Sequence, residues 1–307
     1  MLSLEDFKTS LTLPSPVEPF FPKWKGAEKV SLFVKRDDAI HPIMSGNKWR
    51  KLSNALPPSL PKAIVSFGGG FSNHLHALGF ICFKLGIPFT AIIRGDYSAT
   101  PSPMIKDLIQ WQTHIEYVDR ITYKKRSDSA YLNELKLQFP DAIIIPEGGS
   151  QAQALQGIKD TVDEIEVDFD FIVAPVASGA TLAGIINALN KRNRTTATDF
   201  RSLHKVIGIG VLKGEGYLEG LVQKFLPISK HQTSWHIDHN YHFGGYAKAP
   251  NELQTFCNDF NDNMEFKIEP VYSGKAFWAV KDMLAKGKFE DRSRIVVLHT
   301  GGLQGAR

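Results

Sequence analysis

The sequence is poor in cysteine, in long hydrophobic runs and in excess charge of either sign. It holds only two cysteines, Cys82 and Cys257, which are far apart in the chain. Two isolated thiols do not form the disulfide framework of a small secreted domain, and they fit a reducing compartment. Cys82 lies in the apolar run "GFICFKLGI" and is expected to be a small buried hydrophobe. We therefore expect a cytoplasmic protein.

Membrane and nucleic-acid partners are both disfavoured. The best candidate for a membrane span is interrupted by Lys84 and Pro88, and the N-terminal "MLSLEDFKTS" has no sustained apolar stretch, unlike a signal peptide. The net charge is +4, from 36 basic and 32 acidic residues. The basic residues are dispersed, whereas nucleic acid favours a dense basic stripe. We predict neither class of partner.

Apolar β-rich runs alternate with helical patterns through most of the 307 residues. This alternation predicts an α/β fold with doubly wound, mostly parallel sheets, whose strands are covered on both faces. The length favours two domains. We predict a small domain at residues 50–148 and a large discontinuous domain formed by residues 1–49 and 149–307, with the chain crossing near "PEGGS".

A glycine-containing loop follows the predicted strand in "VAPVASGATLAGI". Ser178, Gly179, Ala180 and Thr181 lead into a helix rich in small residues. Small residues let backbone N–H groups approach an anion at a helix N-terminus. No Gly-Lys-Ser/Thr follows, so this is not a Walker loop. A phosphate cradle and an ordinary capped turn explain the pattern equally well.

A second loop, "SFGGGFSNHLHALG", places Ser72 and Asn73 at a predicted helix start. Both residue types cap helices well, and the same groups could bind a carboxylate or a ring oxygen. Taken alone, the capped helix is the simpler interpretation. A Rossmann site, and hence a dinucleotide-dependent oxidoreductase, is a distant alternative because the third glycine and the distal acid are missing.

Two further loops follow predicted strands near the C-terminus. Tyr272 and Ser273 in "EPVYSGKAFWAV" precede a helix, and Thr300 in "LHTGG" ends a strand. Ligands in open α/β sheets sit outside the carboxyl ends of strands, so these loops could face one crevice. For Tyr272 the alternative is a core aromatic residue with a satisfied hydroxyl.

The stretch "HQTSWHIDHNYH" invites a metal interpretation through His231, His236, His239 and His242. Its alternating apolar residues predict a strand with His236 and His242 on one face and His239 on the other. That arrangement gives no convergent tetrahedral set of ligands, so we predict no metal site.

The stretch "MSGNKWRKL" places Lys48 at the start of a predicted helix, where the helix dipole disfavours a cation. Arg50 and Lys51 follow closely. Either Lys48 does not act as a plain surface cation, or this helix end serves an anion.

Seven stretches, in order, resemble the D-cysteine desulfhydrase and 1-aminocyclopropane-1-carboxylate (ACC) deaminase family: "SGNKWRKL", "GGGFSNH", "PEGGS", "ASGATLAG", "GGYAK", "EPVYSGKA" and "HTGG". The resemblance runs from about residue 15 to the C-terminus. It implies pyridoxal 5'-phosphate (PLP) as cofactor, the tryptophan-synthase-β-like fold (fold type II), a small amino-acid substrate and a homodimer.

The resemblance also implies roles for matching positions. Lys48 matches the lysine that joins the cofactor aldehyde, and its cationic neighbours fit a lysine with a depressed pKa. The implied catalytic residues are Lys48, Tyr246, Tyr272 and Ser72. The implied cofactor-binding residues are Lys48, Lys51, Asn73, Ser178, Gly179, Ala180, Thr181, Ser273 and Thr300. The implied substrate-binding residues are Ser72, Asn73 and His74.

Ser273 and Thr300 favour a desulfhydrase, because ACC deaminases typically carry Glu and Leu at those positions, and His74 agrees with this. Glutamate near the pyridine nitrogen holds a proton there, which serine does not enforce. A thiolate, with a thiol pKa of about 8.5, leaves more easily than carbon. We expect α,β-elimination on D-cysteine or a related small D-amino acid, giving pyruvate, ammonia and sulfide. The alternative is ACC deamination to 2-oxobutanoate and ammonia.

Three positions depart from the family pattern. Phe71 replaces a polar residue, and Phe277 and Trp278 replace small ones. We expect these side chains to reshape the pocket. A non-catalytic binding protein on the same fold is a further alternative.

Overall fold

The computed structural model describes residues 2–57, 59–196, 204–227 and 233–306, so His231 lies outside the described residues. The strands are β1 Val17–Phe20, β2 Ser31–Lys35, β3 Ala63–Gly69, β4 Phe89–Arg94, β5 His114–Val118, β6 Ala142–Ile145, β7 Phe171–Val176, β8 Lys205–Gly210, β9 Ser234–Asp238 and β10 Arg294–Leu298. The α-helices are α1 Leu4–Thr9, α2 Asn47–Leu52, α3 Asn73–Leu85, α4 Pro103–Gln110, α5 Arg120–Lys124, α6 Ser129–Gln138, α7 Ala152–Asp163, α8 Ala180–Thr196, α9 Tyr217–Gln223, α10 Asn251–Asn263 and α11 Ser273–Ala285.

The larger sheet has the strand order β1-β2-β10-β7-β8-β9. All its pairings are parallel except β1 with β2. Alternate residues of β10 face opposite layers: Ile295 and Val297 pack with α10 and α11, whereas Val296 and Leu298 pack with α7 and α8. Both faces are therefore apolar, which explains the unbroken hydrophobic runs. The predicted α/β fold with parallel sheets is confirmed.

The smaller sheet has the order β5-β4-β3-β6, and all its pairings are parallel. One face packs on α3 and α4, and Phe7 and Leu11 from the N-terminal segment join the same core. Tyr123 and Leu135 cover the other face. The four strands lie between residues 63 and 145. The domain boundaries at 49/50 and 148/149 stay predictions.

The short helix α2 stands between the two layers. It packs against α7 and α3 and against the 3-10 turn Glu147–Gly149 that follows β6. The loops after β3, β6, β7 and β10 all leave the carboxyl ends of parallel strands. Such ends form the ligand-binding edge of open α/β sheets. The fold thus gathers the glycine-rich stretches around α2.

A buried ion network fastens α2 to the larger sheet. Arg50 donates from Nη2 to Asp37 Oδ1 at 2.9 Å and from Nη1 to Glu164 Oε1 at 2.6 Å. Lys35 donates to Glu164 Oε2 at 2.6 Å. Although burial alone would raise the pKa of Glu164, hydrogen bonds from Arg50 and Lys35 lower it. Two cations and two carboxylates therefore compensate one another inside the protein.

The histidine-rich stretch is shorter as a strand than predicted. β9 ends at Asp238, whose carboxylate accepts the backbone N–H of Asn240 at 2.9 Å and turns the chain. The prediction that His242 shares a strand face with His236 is therefore wrong. Separately, no helix in the described part of the chain is long and apolar enough to cross a bilayer.

The ion network predicts a large effect from removing its central cation. Replacing Arg50 with Met leaves two buried carboxylates without their main counter-charge, and we expect the free energy of unfolding to fall by about 3–5 kcal/mol. Denaturant unfolding measures this. Lys62→Met is the control, because its partner Asp141 is exposed and little change is expected. Equal stabilities for the two variants would contradict the prediction.

Candidate active site

Lys48 is held in the first turn of α2 between two loops. Its Nζ donates to Asn47 Oδ1 at 2.6 Å. Asn47 donates from Nδ2 to Thr181 Oγ1 at 2.9 Å and from its backbone N–H to the Thr300 carbonyl at 3.3 Å. Gly46 precedes it with φ +68°, and a Cβ there would lie 1.8 Å from the Thr300 oxygen. Only glycine therefore lets the chain pass so close to the end of β10.

The amine of Lys48 is far less basic than that of a surface lysine. Burial lowers its pKa to about 8, and the charge of Glu269 opposes that shift. Among the described residues, no carboxylate forms an ion pair with Lys48. About half of the amine is therefore neutral at pH 8, which is the form a nucleophile or a base requires.

Lys51 lies one turn further along α2 and is only 2% exposed. Its Nζ donates to the Gly148 carbonyl at 3.3 Å, to Ser150 Oγ at 3.4 Å and to Ser178 Oγ at 3.1 Å. All three acceptors are neutral, and in the described part of the chain it has no carboxylate partner. Burial, and then the charge of Lys48, push the pKa of Lys51 well below its usual value. An anion bound here would supply the missing counter-charge.

The loop after β7 brings a helix N-terminus to the same place. Gly179 has φ +80°, and a Cβ there would lie 2.7 Å from the backbone of Leu221. This tight turn lets α8 begin at Ala180, beside Ser178. The N-terminus of a long helix, a serine hydroxyl and the uncompensated ammonium of Lys51 fit a phosphate group. The geometry therefore favours the phosphate cradle over the plain capped turn.

Ser72 and Asn73 open α3 after β3. Ser72 Oγ accepts the backbone N–H of Leu75 at 3.2 Å and so caps the helix. Among the described contacts its hydroxyl hydrogen has no acceptor, so it can still donate to a ligand. The Asn73 side-chain oxygen accepts a hydrogen bond from Gln304, which fixes the orientation of its amide.

Gly302 lies close to both Asn73 and Glu269. A Cβ at Gly302, which has φ +100°, would lie 3.1 Å from Asn73 Nδ2 and 3.6 Å from Glu269 Oε1. The backbone of Gly302 therefore approaches both the amide and the carboxylate. Glu269 is only 1% exposed.

His74 is a fixed, neutral acceptor rather than a cation. The Ser66 hydroxyl donates to the Ile145 carbonyl at 2.7 Å, so Ser66 Oγ can only accept from His74 Nε2, at 2.8 Å. The other ring nitrogen, Nδ1, is buried and unpartnered. Burial, with Lys48 and Lys51, lowers the His74 pKa to about 3. His74 can therefore accept a hydrogen bond from a ligand but cannot donate one to a carboxylate.

Two tyrosines form a hydroxyl pair. Tyr246 and Tyr272 have hydroxyl oxygens 2.7 Å apart, and the Tyr246 side chain is 51% exposed. Burial and then Tyr246 raise the pKa of Tyr272 well above its usual value. Near neutral pH this hydroxyl is a proton donor, not a base. Because Tyr272 contacts the exposed Tyr246, the alternative that Tyr272 is only a core aromatic residue is less favoured.

The buried ammonium of Lys275 holds the segment that carries Tyr246. It donates to the carbonyls of Val211 at 3.0 Å, His242 at 2.9 Å and Gly245 at 2.9 Å. These three bonds use all its hydrogens. Lys275 therefore fixes the loop after β9 against the start of α11.

The predicted site residues Ser273 and Thr300 are both buried. Ser273 Oγ contacts the Glu269 carboxylate at 3.2 Å, and the same carboxylate accepts three backbone N–H groups at 2.7–2.9 Å. Thr300 contributes its carbonyl to Asn47. Ser273 thus works together with an acid four residues earlier in the chain.

The three bulky residues that depart from the family pattern lie in different surroundings. Phe277 is fully buried among the aromatic rings of the large core, and Trp278 packs edge-on against Phe243 and Phe256. Neither is among the residues whose contacts build the site. Phe71, by contrast, is 56% exposed and stands edge-on to Tyr97, directly before Ser72.

Histidines of the predicted strand have other partners. His239 Nε2 contacts Glu219 Oε1 at 2.7 Å, and His242 Nδ1 accepts the N–H of Gly244 at 2.9 Å. In the described ranges, no group of three or more His, Cys, Asp or Glu residues could hold a metal ion.

The sequence matches the pyridoxal-phosphate dependent enzyme family over residues 13–301. The chain belongs to this family. A protein of Pyrococcus horikoshii, provisionally named as an ACC deaminase, is 28% identical over 89% of this chain and 85% of its own length. The D-cysteine desulfhydrase of Klebsiella pneumoniae is 24% identical over 94% of this chain and 92% of its own. These relatives confirm the predicted family.

A solved structure agrees with the fold. The crystal structure of an ACC deaminase homologue superimposes with a TM-score of 0.76 at 25% identity, covering 96% of this chain and 91% of that one. The fold is therefore that of the PLP enzymes with the tryptophan-synthase-β-like architecture, and the cofactor is PLP.

The residues of the site fit this cofactor. Lys51, Ser178 and the start of α8 suit its phosphate, Asn73 at the start of α3 lies beside Gly302, and Lys48 offers a weakly basic amine. When bound, PLP supplies an electron sink for the α-carbon of an amino acid. Asn47, Ser150, Glu269 and Lys275 were not predicted from the sequence. Only Glu269 gave a signal there, as an acid just before a helix start.

The Lys48 environment predicts its titration in cofactor-free protein. Acetylation of Lys48, followed by mass spectrometry from pH 6 to 11, should show half-maximal reactivity near pH 8. Peptides containing the exposed Lys62 serve as the internal standard. A midpoint above pH 10 would show that burial does not act on this amine.

The hydrogen bonds and burial of His74 predict that its ring keeps one neutral tautomer over a wide pH range. Nitrogen-15 spectra should show the Nε2–H form from pH 7 down to about 4, because the pKa is lowered to about 3. Ser66→Ala removes the acceptor and should abolish the tautomer preference. A ring that protonates between pH 6 and 7 would refute the assignment.

Proposed function

We propose that the chain catalyses α,β-elimination on D-cysteine or a related small D-amino acid, giving pyruvate, ammonia and sulfide. The observation that carries the reaction class is Lys48, a weakly basic amine fixed beside an anion cradle in which Lys51 contacts only neutral acceptors. Ser273 and Thr300 favour this substrate over ACC, because both are desulfhydrase-like at positions where ACC deaminases carry Glu and Leu. The family assignment argues against the alternative of a dinucleotide-dependent oxidoreductase.

Each residue then has a task set by its protonation state. Lys48, half neutral near pH 8, accepts the α-proton. The Tyr246–Tyr272 pair stays protonated and donates hydrogen bonds, so it does not act as the base. The free hydroxyl hydrogen of Ser72 suits the substrate carboxylate. His74 Nδ1 accepts from a donor such as a thiol or an ammonium group.

ACC deamination is the second candidate, and one observation favours it. The carboxylate of Glu269 touches Ser273 at 3.2 Å, so the site does not lack an acid where ACC deaminases carry Glu. The names of several relatives agree with this candidate. A homodimer and a cytoplasmic location stay predictions from the resemblance.

The PLP-loaded protein should be incubated separately with D-cysteine, L-cysteine and ACC. We expect pyruvate and sulfide from D-cysteine, little from L-cysteine, and less 2-oxobutanoate from ACC. Lys48→Ala should lower the D-cysteine rate by at least about 10²-fold, the lower range for loss of a general base. Lys62→Ala is the control with unchanged rate. Turnover of ACC without pyruvate from D-cysteine would reverse the ranking.

A further inference from the structure

The hydrogen bonds of Ser273 leave its hydroxyl with one unused hydrogen-bonding position. Its Oγ accepts the backbone N–H of Glu269 at 2.9 Å, and its hydroxyl can donate to Glu269 Oε1 at 3.2 Å or to the Glu269 carbonyl at 3.4 Å. A hydroxyl has one donor and two acceptor positions. What remains on Ser273 is therefore one acceptor. A neighbouring ring nitrogen can use it only if that nitrogen carries a hydrogen.

Glu269, whose carboxylate contacts Ser273, has no cationic partner among the described residues. Among the described residues, Glu269 accepts only backbone N–H groups and the Ser273 hydroxyl, and no lysine, arginine or histidine lies within ion-pair distance. Burial raises its pKa and these hydrogen bonds oppose that shift. A buried carboxylate without a cation is costly unless a bound group provides one.

We propose that Glu269, acting through Ser273, keeps a proton on the pyridine nitrogen of the bound cofactor. The inference rests on the proposed function and on the family resemblance, which matches Ser273 to the position where ACC deaminases carry a glutamate near the pyridine nitrogen. The ring N–H donates to Ser273 Oγ, and the Ser273 hydroxyl donates to Glu269 Oε1. The proton comes from water, and no bond other than N–H is formed.

This arrangement corrects the sequence argument that serine does not enforce protonation. Serine alone does not, but here both acceptors within reach of its hydroxyl hydrogen belong to the buried Glu269. A neutral pyridine could draw that hydrogen away only by taking it from Glu269. Since Glu269 acts through Ser273, it is a positioning residue and not a catalytic one.

The other ionisable groups near Glu269 do not replace the missing cation. Lys48 on α2 donates to Asn47, and Lys275 on α11 is used by three carbonyls. Tyr272, Tyr246 on its loop and Cys257 on α10 carry pKa values raised above their usual ones, so they are neutral near pH 7. The ring nitrogen is the cationic partner that the site still accommodates.

The test is nitrogen-15 NMR of the protein loaded with PLP labelled at the ring nitrogen, between pH 6 and 9. Wild type should show the upfield shift of a protonated pyridine. Glu269→Gln, which keeps the size of the side chain and removes its charge, should lose that shift. Ser273→Ala should lose it too and leaves the backbone cap of Glu269 intact, so it serves if Glu269→Gln fails to fold. Glu265→Gln, the same change at an exposed position, is the matched control.

Two outcomes overturn the inference. One is an unprotonated ring nitrogen in wild type. The other is a protonated nitrogen in both Glu269→Gln and Ser273→Ala, as a carboxylate that only caps α11 would predict. Either outcome can occur with full D-cysteine turnover, which leaves the proposed function intact. Failure of Lys48 to form a hydride-trapped adduct with PLP would instead reject the proposed function.

Discussion

The site depends on two lysines held one turn apart on the same helix face, neither of them in an ion pair with a carboxylate of the described residues. Like charges at this spacing repel, and burial adds to the cost. Helix α2 accepts that cost because its other faces are firmly attached. Arg50 joins the buried carboxylates, while Trp49 and Leu52 pack in the core of the smaller sheet. The six residues of α2 thus combine firm attachment, through Arg50, Trp49 and Leu52, with two lysines whose charged form is destabilised by burial.

The charges of the site fall into two groups. Lys51 and the start of α8 form a cationic end, whereas Glu269 and Ser273 form an anionic end with Lys48 under the influence of both. PLP has the complementary distribution, with a phosphate dianion and a ring nitrogen able to carry a proton. Each end of the cofactor thus matches a buried group that has no oppositely charged partner among the described residues. Burial lowers the pKa of Lys48, and the charge of Glu269 opposes that shift, so the same carboxylate bears on cofactor recognition and on the reactivity of the amine.

The fold and the main site loops were predictable because they depend on local signals. Runs such as "RIVVL" predict strands, and the glycines that precede α3 and α8 predict tight turns, from the local sequence alone. Glu269, Asn47 and Lys275 were missed since their importance comes from contacts across the fold, as with Lys275 and the carbonyl of Val211. Likewise, Phe277 looked like a pocket residue from its motif, but the side chain points into the core on the other side of α11.

These contacts change which residue can discriminate between substrates. If Glu269 keeps the ring nitrogen protonated through Ser273, the ring is a strong electron sink whatever group leaves, and residue 273 no longer decides between thiolate and carbon. His74 is better suited to that choice. Its Nδ1 is a buried acceptor whose tautomer is fixed by Ser66, so it favours a ligand with an S–H or N–H donor. A cyclopropane methylene offers no such donor, and burying it against Nδ1 would leave the nitrogen unsatisfied. The hydrogen-bond requirement of His74 thus supports the proposed preference for a thiol-bearing amino acid, provided that the substrate ammonium group is held elsewhere.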